Sequence, residues 1–224
     1  MALILNIDTA TETASICLSL NGETLLCRLN AHQKDHAAWL HPAIENLMQE
    51  TGHRLNELNA IAVTAGPGSY TGLRVGMATA KGLCYALQIP LLTENTLKVM
   101  ALAANEQLKA FGGLLCPMID ARRMDVFTAV YQKDLLIRMP PQAMTVEKGS
   151  FDTWLQQGDV AFFGSGSHKC KPLLAAPRAH FMTISYDAGS LGILSFKLYL
   201  QKEFADVAFC EPAYTKEFYS HNLK

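Results

Sequence analysis

One strand-and-turn pattern occurs twice in this chain. "LILNIDTATETASICLSL" starts at Leu3 and "LCPMIDARRMDVFTAVY" at Leu115. Each begins as an apolar strand, ends in Ile-Asp, turns through a few polar residues and returns as an alternating strand, so Asp8 and Asp120 hold equivalent places. An internal repeat on this scale points to two related supersecondary units. We therefore expect an α/β protein of two halves meeting near residues 105–113, drawn as 1–107 and a smaller 108–224.

Within the first unit, Asn21-Gly22 between two apolar runs marks a tight hairpin, because both central positions want positive φ. "DHAAWLHPAIENLMQETG" reads as a helix with Asp35 as N-cap, Gly52 as its stop and an apolar stripe of Leu40, Ile44, Leu47 and Met48. Pro42 lies inside it and should kink it, and Trp39, Pro42 and Asn46 share the opposite face. A strand "AIAVTA", a glycine loop, a helix to about Leu87, a strand "IPLLT" and a helix "NTLKVMALAANEQL" follow. The second unit continues with "MPPQAMTVEKG", read as irregular, then a strand "DVAFFG", a turn and a helix near Ser167–Leu174. "AGSLGILSFKLYLQKEF" is a late helix. With its tail (about 188–224) it is of the kind that packs back on the first half.

Half of the residues are hydrophobic, ample for a core, and the formal net charge is −1. That balance provides no general basic field for nucleic acid, so RNA binding would need a partner's surface. The six cysteines are scattered without a C-x-x-C, which argues against a zinc knuckle or a dense disulfide framework and fits a reducing compartment. The N-terminus lacks a basic leader, and no apolar run approaches the ~20 residues that span a bilayer. The expectation is a cytoplasmic protein with no membrane partner.

"VTAGPGSYTGLRVG", Val63 to Gly76, carries the sharpest local signal. It matches neither G-x-x-x-x-G-K-[ST] nor a G-x-G-x-x-G after the first strand. Gly66, Gly68 and Ser69 still stand before a helix N-terminus, which favours an anion. The alternative is a tight turn with Ser69 or Thr71 as cap. Asp8 is open in the same way, as a water-mediated Mg²⁺ holder or a turn cap. Beyond the loop, Gly72, Gly76 and Ala80 recur every fourth residue and Leu83 extends their face. Each interior glycine costs roughly 1 kcal/mol relative to alanine, so close packing should offset it, either on the chain's own sheet or against a helix of another chain. His32 and His36 are four apart, but no third ligand accompanies them, so no metal site is assigned. No nucleophile elbow or Cys-Gly-x-Cys-Trp pattern supports a peptidase.

"ILNIDTATETASICL", "TAGPGSYTGLRVGMATAKGL", "MIDARRMDVFTAVY" and "EPAYTKEF" together resemble the TsaB (YeaZ) family nearly end to end. The resemblance implies the actin/Hsp70/sugar-kinase (ASKHA) fold with two ribonuclease H-like halves, the second reduced. It implies a non-catalytic subunit needed by the transferase TsaD, with the ATPase TsaE, to place threonylcarbamoyl on N6 of adenosine 37 in tRNAs reading ANN codons. TsaC supplies the activated group, and tRNA is met through the complex. TsaD carries H-x-x-x-H in a segment matching Ile89–Met100, which has no histidine here, so neither a catalytic nor a metal residue is expected. No nucleotide is expected to bind tightly to this chain alone, with ATP or ADP confined to the complex boundary near Asp8, Gly66, Gly68 and Ser69. The partner face implied is Trp39, Pro42, Gly72, Gly76, Ala80 and Leu83, used for TsaD or, without it, for a homodimer. Gly76→Leu would then block docking and spare the fold. The alternative is a self-sufficient small ATPase or kinase of the same fold.

Overall fold

The computed structural model describes residues 1–31 and 35–213. The first half opens with β1 (Leu3–Asp8), β2 (Ala14–Leu20) and β3 (Glu23–Asn30), then α1 (His36–Thr51), β4 (Ala60–Gly66), α2 (Tyr70–Leu87), β5 (Leu91–Asn95) and α3 (Thr96–Gln107). The second repeats that order with β6 (Leu114–Asp120), β7 (Asp125–Tyr131), β8 (Ile137–Thr145), α4 (Asp152–Gln157), β9 (Val160–Phe163), α5 (Ser167–Leu174), β10 (Ala179–Phe181) and α6 (Ala188–Gln201). The strand orders are β3-β2-β1-β4-β5 and β10-β9-β6-β7-β8, one arrangement read from opposite ends. In each sheet the Ile-Asp strand lies in the middle, antiparallel to one neighbour and parallel to the other. The two α/β halves are those expected from the repeat, and the architecture is the two-sheet ASKHA fold that the family resemblance implies. Reduction of the second half is visible in its helices: α4 and α5 have 6 and 8 residues where α1 and α2 have 16 and 18.

Local chemistry sets the element ends. Asn21 and Gly22 both take positive φ, 54° and 87°, as a two-residue hairpin turn requires. α1 runs on through Pro42 and stops at Gly52, which is left-handed at φ 70°. Asp35 precedes α1, but its side chain makes no capping bond. β8 corrects the sequence reading, because "MPPQAMT" is strand. Among the described residues β8 pairs only with β7, and an edge strand tolerates residues without an N–H such as Pro140 and Pro141.

The helices form layers around the sheets. α1 and α2 lie side by side on one face of the first sheet, over Leu5, Ile7, Ile16 and Leu18. α6 covers its other face, and α3 lies between the two sheets. α3 is apolar on both sides: Leu97, Met100 and Ala104 pack on Leu115 and Phe163, while Val99 and Leu102 join Leu92 and Leu191. A helix buried all round needs no polar stripe. α6 is anchored by a buried polar network in which Ser195 Oγ donates to Asn6 Oδ1 at 2.6 Å, and Asn6 Nδ2 donates to Ser19 Oγ and Cys17 O. After α6 the chain turns back along the first half. Ala205 N bonds Leu91 O at 2.8 Å, Lys81 Nζ bonds Cys210 O, and Ala213 N bonds Ala65 O at 2.7 Å. Part of the "EPAYTKEF" motif, from residue 214 on, lies outside the described residues.

Candidate functional site

The turn after β1 and the loop after β4 are packed into one unit. Ser69 N donates to Ala10 O at 2.7 Å, and Ser69 Oγ accepts from Gly72 N, capping α2. Thr9, fully buried, donates its hydroxyl to Gly72 O at 2.7 Å. A β-carbon at Gly68 would overlap the Ala10 carbonyl, one at Gly72 the Thr9 carbonyl, and one at Gly76 the Thr9 hydroxyl. On the far side of the loop, a β-carbon at Gly66 would stand 2.9 Å from Ala213 O. The glycines therefore admit the chain's own backbone.

This corrects half of the expected partner face. Gly72, Gly76 and Ala80 are buried inward against the chain's own β1–β2 turn and sheet. Gly76→Leu would damage the fold rather than spare it. Trp39 and Leu83 are half-buried against the first core, and only Pro42 is exposed. The outward side of α2 carries Tyr70, Arg74, Ala78, Gly82, Tyr85 and Ala86. Tyr85 is 75% exposed, and the Arg74 guanidinium stacks 3.9 Å over the Tyr70 ring. The four-residue spacing was legible in the sequence, but which of the two small-residue faces turns inward was not.

Asp8 is sealed beneath this unit at 1% exposure. Its Oδ1 accepts from Thr64 Oγ1 at 2.8 Å and Ala10 N at 2.9 Å, while Oδ2 is buried with no hydrogen-bond partner among the described residues. Burial pushes its carboxyl up, and the Ala10 amide and Thr64 hydroxyl pull only partly back. Its repeat counterpart lives differently: Asp120 is exposed and takes Lys169 Nζ at 2.7 Å. Slight burial raises Asp120, but Lys169 and the Arg122 amide hold it below the usual range.

At the β1–β2 turn the ends of the two halves line a half-open cavity of about 250 Å³, bordered by Thr11, Thr13, Met100, Gly164, His168 and Tyr186, among others. Tyr186 Oη donates to Thr11 Oγ1 at 2.9 Å and ties the approach to α6 to the β1–β2 turn. His36 Nε2 lies 3.2 Å from Thr11 O, and its Nδ1 is buried without a partner among the described residues. His32 lies outside the described residues. No cluster of three metal-ligating side chains occurs among the described ones, and none of their helices is long and apolar enough to cross a membrane. The sequence reading missed Tyr186 and the role of Thr9. Both contacts join segments far apart in the chain, and no spacing rule reports them.

Residues 30–176 match the TsaD family, described as tRNA N6-adenosine threonylcarbamoyltransferase. The chain belongs to the TsaD family. Within that family, this member is similar to proteins named tRNA threonylcarbamoyladenosine biosynthesis protein TsaB. It is 38% identical to that of Bacillus subtilis over 130 residues, 58% of this chain and 55% of the relative. It is 36% identical to that of Escherichia coli over 135 residues, again 58% and 55%. In these alignments the chain spans about half the length of the curated relatives it matches. YeaZ from Pseudomonas aeruginosa superposes with a TM-score of 0.80 at 25% identity, covering 96% of this chain and 100% of that one. These likenesses bear out the resemblance to the TsaB (YeaZ) group. A polyphosphate/ATP-glucomannokinase from Arthrobacter shares the fold alone, with a TM-score of 0.50 at 13% identity over 90% of this chain and 100% of that one.

Proposed function

We propose that this chain is a cytoplasmic, non-catalytic subunit of tRNA threonylcarbamoyladenosine synthesis. It docks a TsaD-type transferase through the outer faces of α1 and α2 and supports transfer of threonylcarbamoyl to N6 of adenosine 37 in tRNAs reading ANN codons. TsaE joins the complex, TsaC supplies the activated threonylcarbamoyl, and tRNA is met through the assembly. The observation that carries this reading is the filled glycine loop, where Ala10 on one side and Ala213 on the other occupy the space its glycines leave. Such a loop is poorly placed to cradle phosphate and well placed to hold α2 rigidly. Residues 89–100 also carry no histidine, so the imidazole pair of TsaD has no counterpart there. The partner face is redrawn as Pro42 with the rim of Trp39 on α1, and Tyr70, Arg74, Ala78, Gly82 and Tyr85 on α2. Without TsaD the same face pairs two copies of the chain, and ATP or ADP binds at the complex boundary rather than tightly to this chain alone.

A rival reading, a self-sufficient ATPase of the same fold, draws on Asp8 Oδ2, unpartnered among the described residues, and on the cavity at the β1–β2 turn. Size-exclusion chromatography with light scattering separates the two. The chain is run alone and with TsaD, and the mixed peak is assayed for tRNA modification with TsaC and TsaE. A one-to-one complex, active only when this chain is included, supports the subunit reading. Absence of a complex together with Asp8-dependent ATP turnover by the lone chain overturns it.

A further inference from the structure

Cys17 and Cys27 stand opposite each other across the β2–β3 hairpin. A regular continuation from the Asn21-Gly22 turn would set Leu26 against Cys17, since Leu20 pairs Glu23 and Ser19 pairs Thr24. The register slips by one residue between Leu18 and Ser19, and Cys27 arrives opposite Cys17 instead. Directly opposed residues share a face with Cα atoms about 4.5–5.5 Å apart, inside the span of about 4.4–6.8 Å that a disulfide bridges. The two thiols are close enough to shift each other's ionisation, and Cys17 Sγ lies 3.5 Å from Thr24 Oγ1. Cys27 pulls the Cys17 thiol down more than burial and the Asp187 carboxylate push it up, whereas Cys17, burial and Asp187 all push Cys27 up, so Cys17 is the readier of the two to ionise.

Thr24 also lines a surface cavity of about 450 Å³, together with Glu23, Glu106, Asp187 and Gly189. Gly189 is close to the second sulfur, since a β-carbon there would lie 3.8 Å from Cys27 Sγ. Three carboxylates on the cavity wall disfavour anionic oxidants and admit a small neutral one. Cys17 is fully buried on β2 and Cys27 half-buried on β3, which among the described residues pairs on one side only, so the oxidant reaches Cys17 when that edge strand opens.

We propose that Cys17 and Cys27 form a peroxide-responsive dithiol that closes into an intrachain disulfide. The Cys17 thiolate attacks hydrogen peroxide and the O–O bond breaks, giving a sulfenic acid and, with one proton, water. Cys27 sulfur then displaces the hydroxyl, which leaves as a second water with the Cys27 proton. Two electrons pass from the sulfurs to the peroxide. In a reducing compartment the bridge is transient and is reopened by thiols.

The test uses the reduced full chain under native conditions, treated with hydrogen peroxide, alkylated, digested and mapped by mass spectrometry. The expected product is a 17–27 linked peptide lacking two hydrogens and restored by dithiothreitol, with Cys84, Cys116 and Cys170 still alkylated. Cys27→Ser should leave Cys17 as a sulfenic acid that dimedone traps. Glutathione disulfide at equal concentration should react at least about tenfold more slowly. Cys17 and Cys27 remaining alkylatable while Cys210 oxidises, or a bridge joining other cysteines, overturns the proposal. The wild-type map decides this even if the variant folds poorly. Equal rates with the two oxidants overturn the selectivity assigned to the carboxylates.

Discussion

Two glycines on the same helix should respond to alanine in opposite directions. Gly76 faces Thr9, and a β-carbon there overlaps the Thr9 hydroxyl and sits 3.4 Å from Val63 Cγ2. Thr9 is fully buried and cannot swing into solvent, so its hydroxyl must give up the bond to Gly72 O. Stranding those buried groups costs about 1–3 kcal/mol, and overpacking adds about 1–3 kcal/mol. Removing a helical glycine returns about 1 kcal/mol. Gly76→Ala should therefore destabilise the chain by about 1–5 kcal/mol. Gly82 meets nothing within 4 Å, so Gly82→Ala should stabilise by about 1 kcal/mol, the helix-propensity gain alone. Urea unfolding of both variants measures the contrast. Thr9→Ala removes the obstructing hydroxyl, and Gly76→Ala made in that background should lose most of its cost. Gly76→Ala as stable as the wild type, or a double-mutant cycle that adds within about 0.5 kcal/mol, would refute the packing argument.

Three other outcomes are expected. Burial raises the Asp8 carboxyl above its unfolded value, so its contribution to stability is present at low pH and is lost as pH rises through the folded value. Asp8→Asn keeps an acceptor for Thr64 and Ala10, and its melting temperature should gain on the wild type at pH 7 but much less at pH 4; a pH-independent difference would count against this. Ser195→Ala leaves the buried Asn6 Oδ1 without its donor, and thermal or urea unfolding should show a loss of about 1–3 kcal/mol. Tyr85→Glu changes a side chain that is 75% exposed, so the melting temperature should hold while the affinity for TsaD falls at least about tenfold; unchanged affinity by calorimetry would move the interface elsewhere.

Much of this architecture was legible because the Ile-Asp repeat is covalent and local: β1 with β2, and β6 with β7, announce themselves by spacing. β8 hid behind Pro140 and Pro141, which only an edge position makes compatible with strand. The stripe of Gly72, Gly76 and Ala80 illustrates a deeper limit. Period four shows that these residues share a face but not what the face meets, and here it meets Thr9, more than sixty positions earlier in the chain. Asp8 was found from its place at a strand end, whereas its unpartnered Oδ2 follows from burial that no local pattern encodes. The opposition of Cys17 and Cys27 was hidden by a single register slip.

The repeat also supplies an internal reference for what each half needs. The second sheet is covered on its outer side by helices of 6 and 8 residues, and the first by helices of 16 and 18. The surplus of about ten residues per helix is about 15 Å of length at 1.5 Å per residue. Its inner side is used, with Leu47, Met48 and Cys84 buried in the first core. Its outer side places Asn46, Gln49, Gly82, Tyr85 and Ala86 in solvent. Because Thr9, Ala10 and the returning 205–213 segment brace α2 from within, that outer side is held rigid without being used up. A preorganised helix pair loses less entropy on docking than a flexible one. Enlargement of α1 and α2 in one half of a duplicated fold is therefore better matched to holding another protein than to completing a core that the other half completes with much shorter helices.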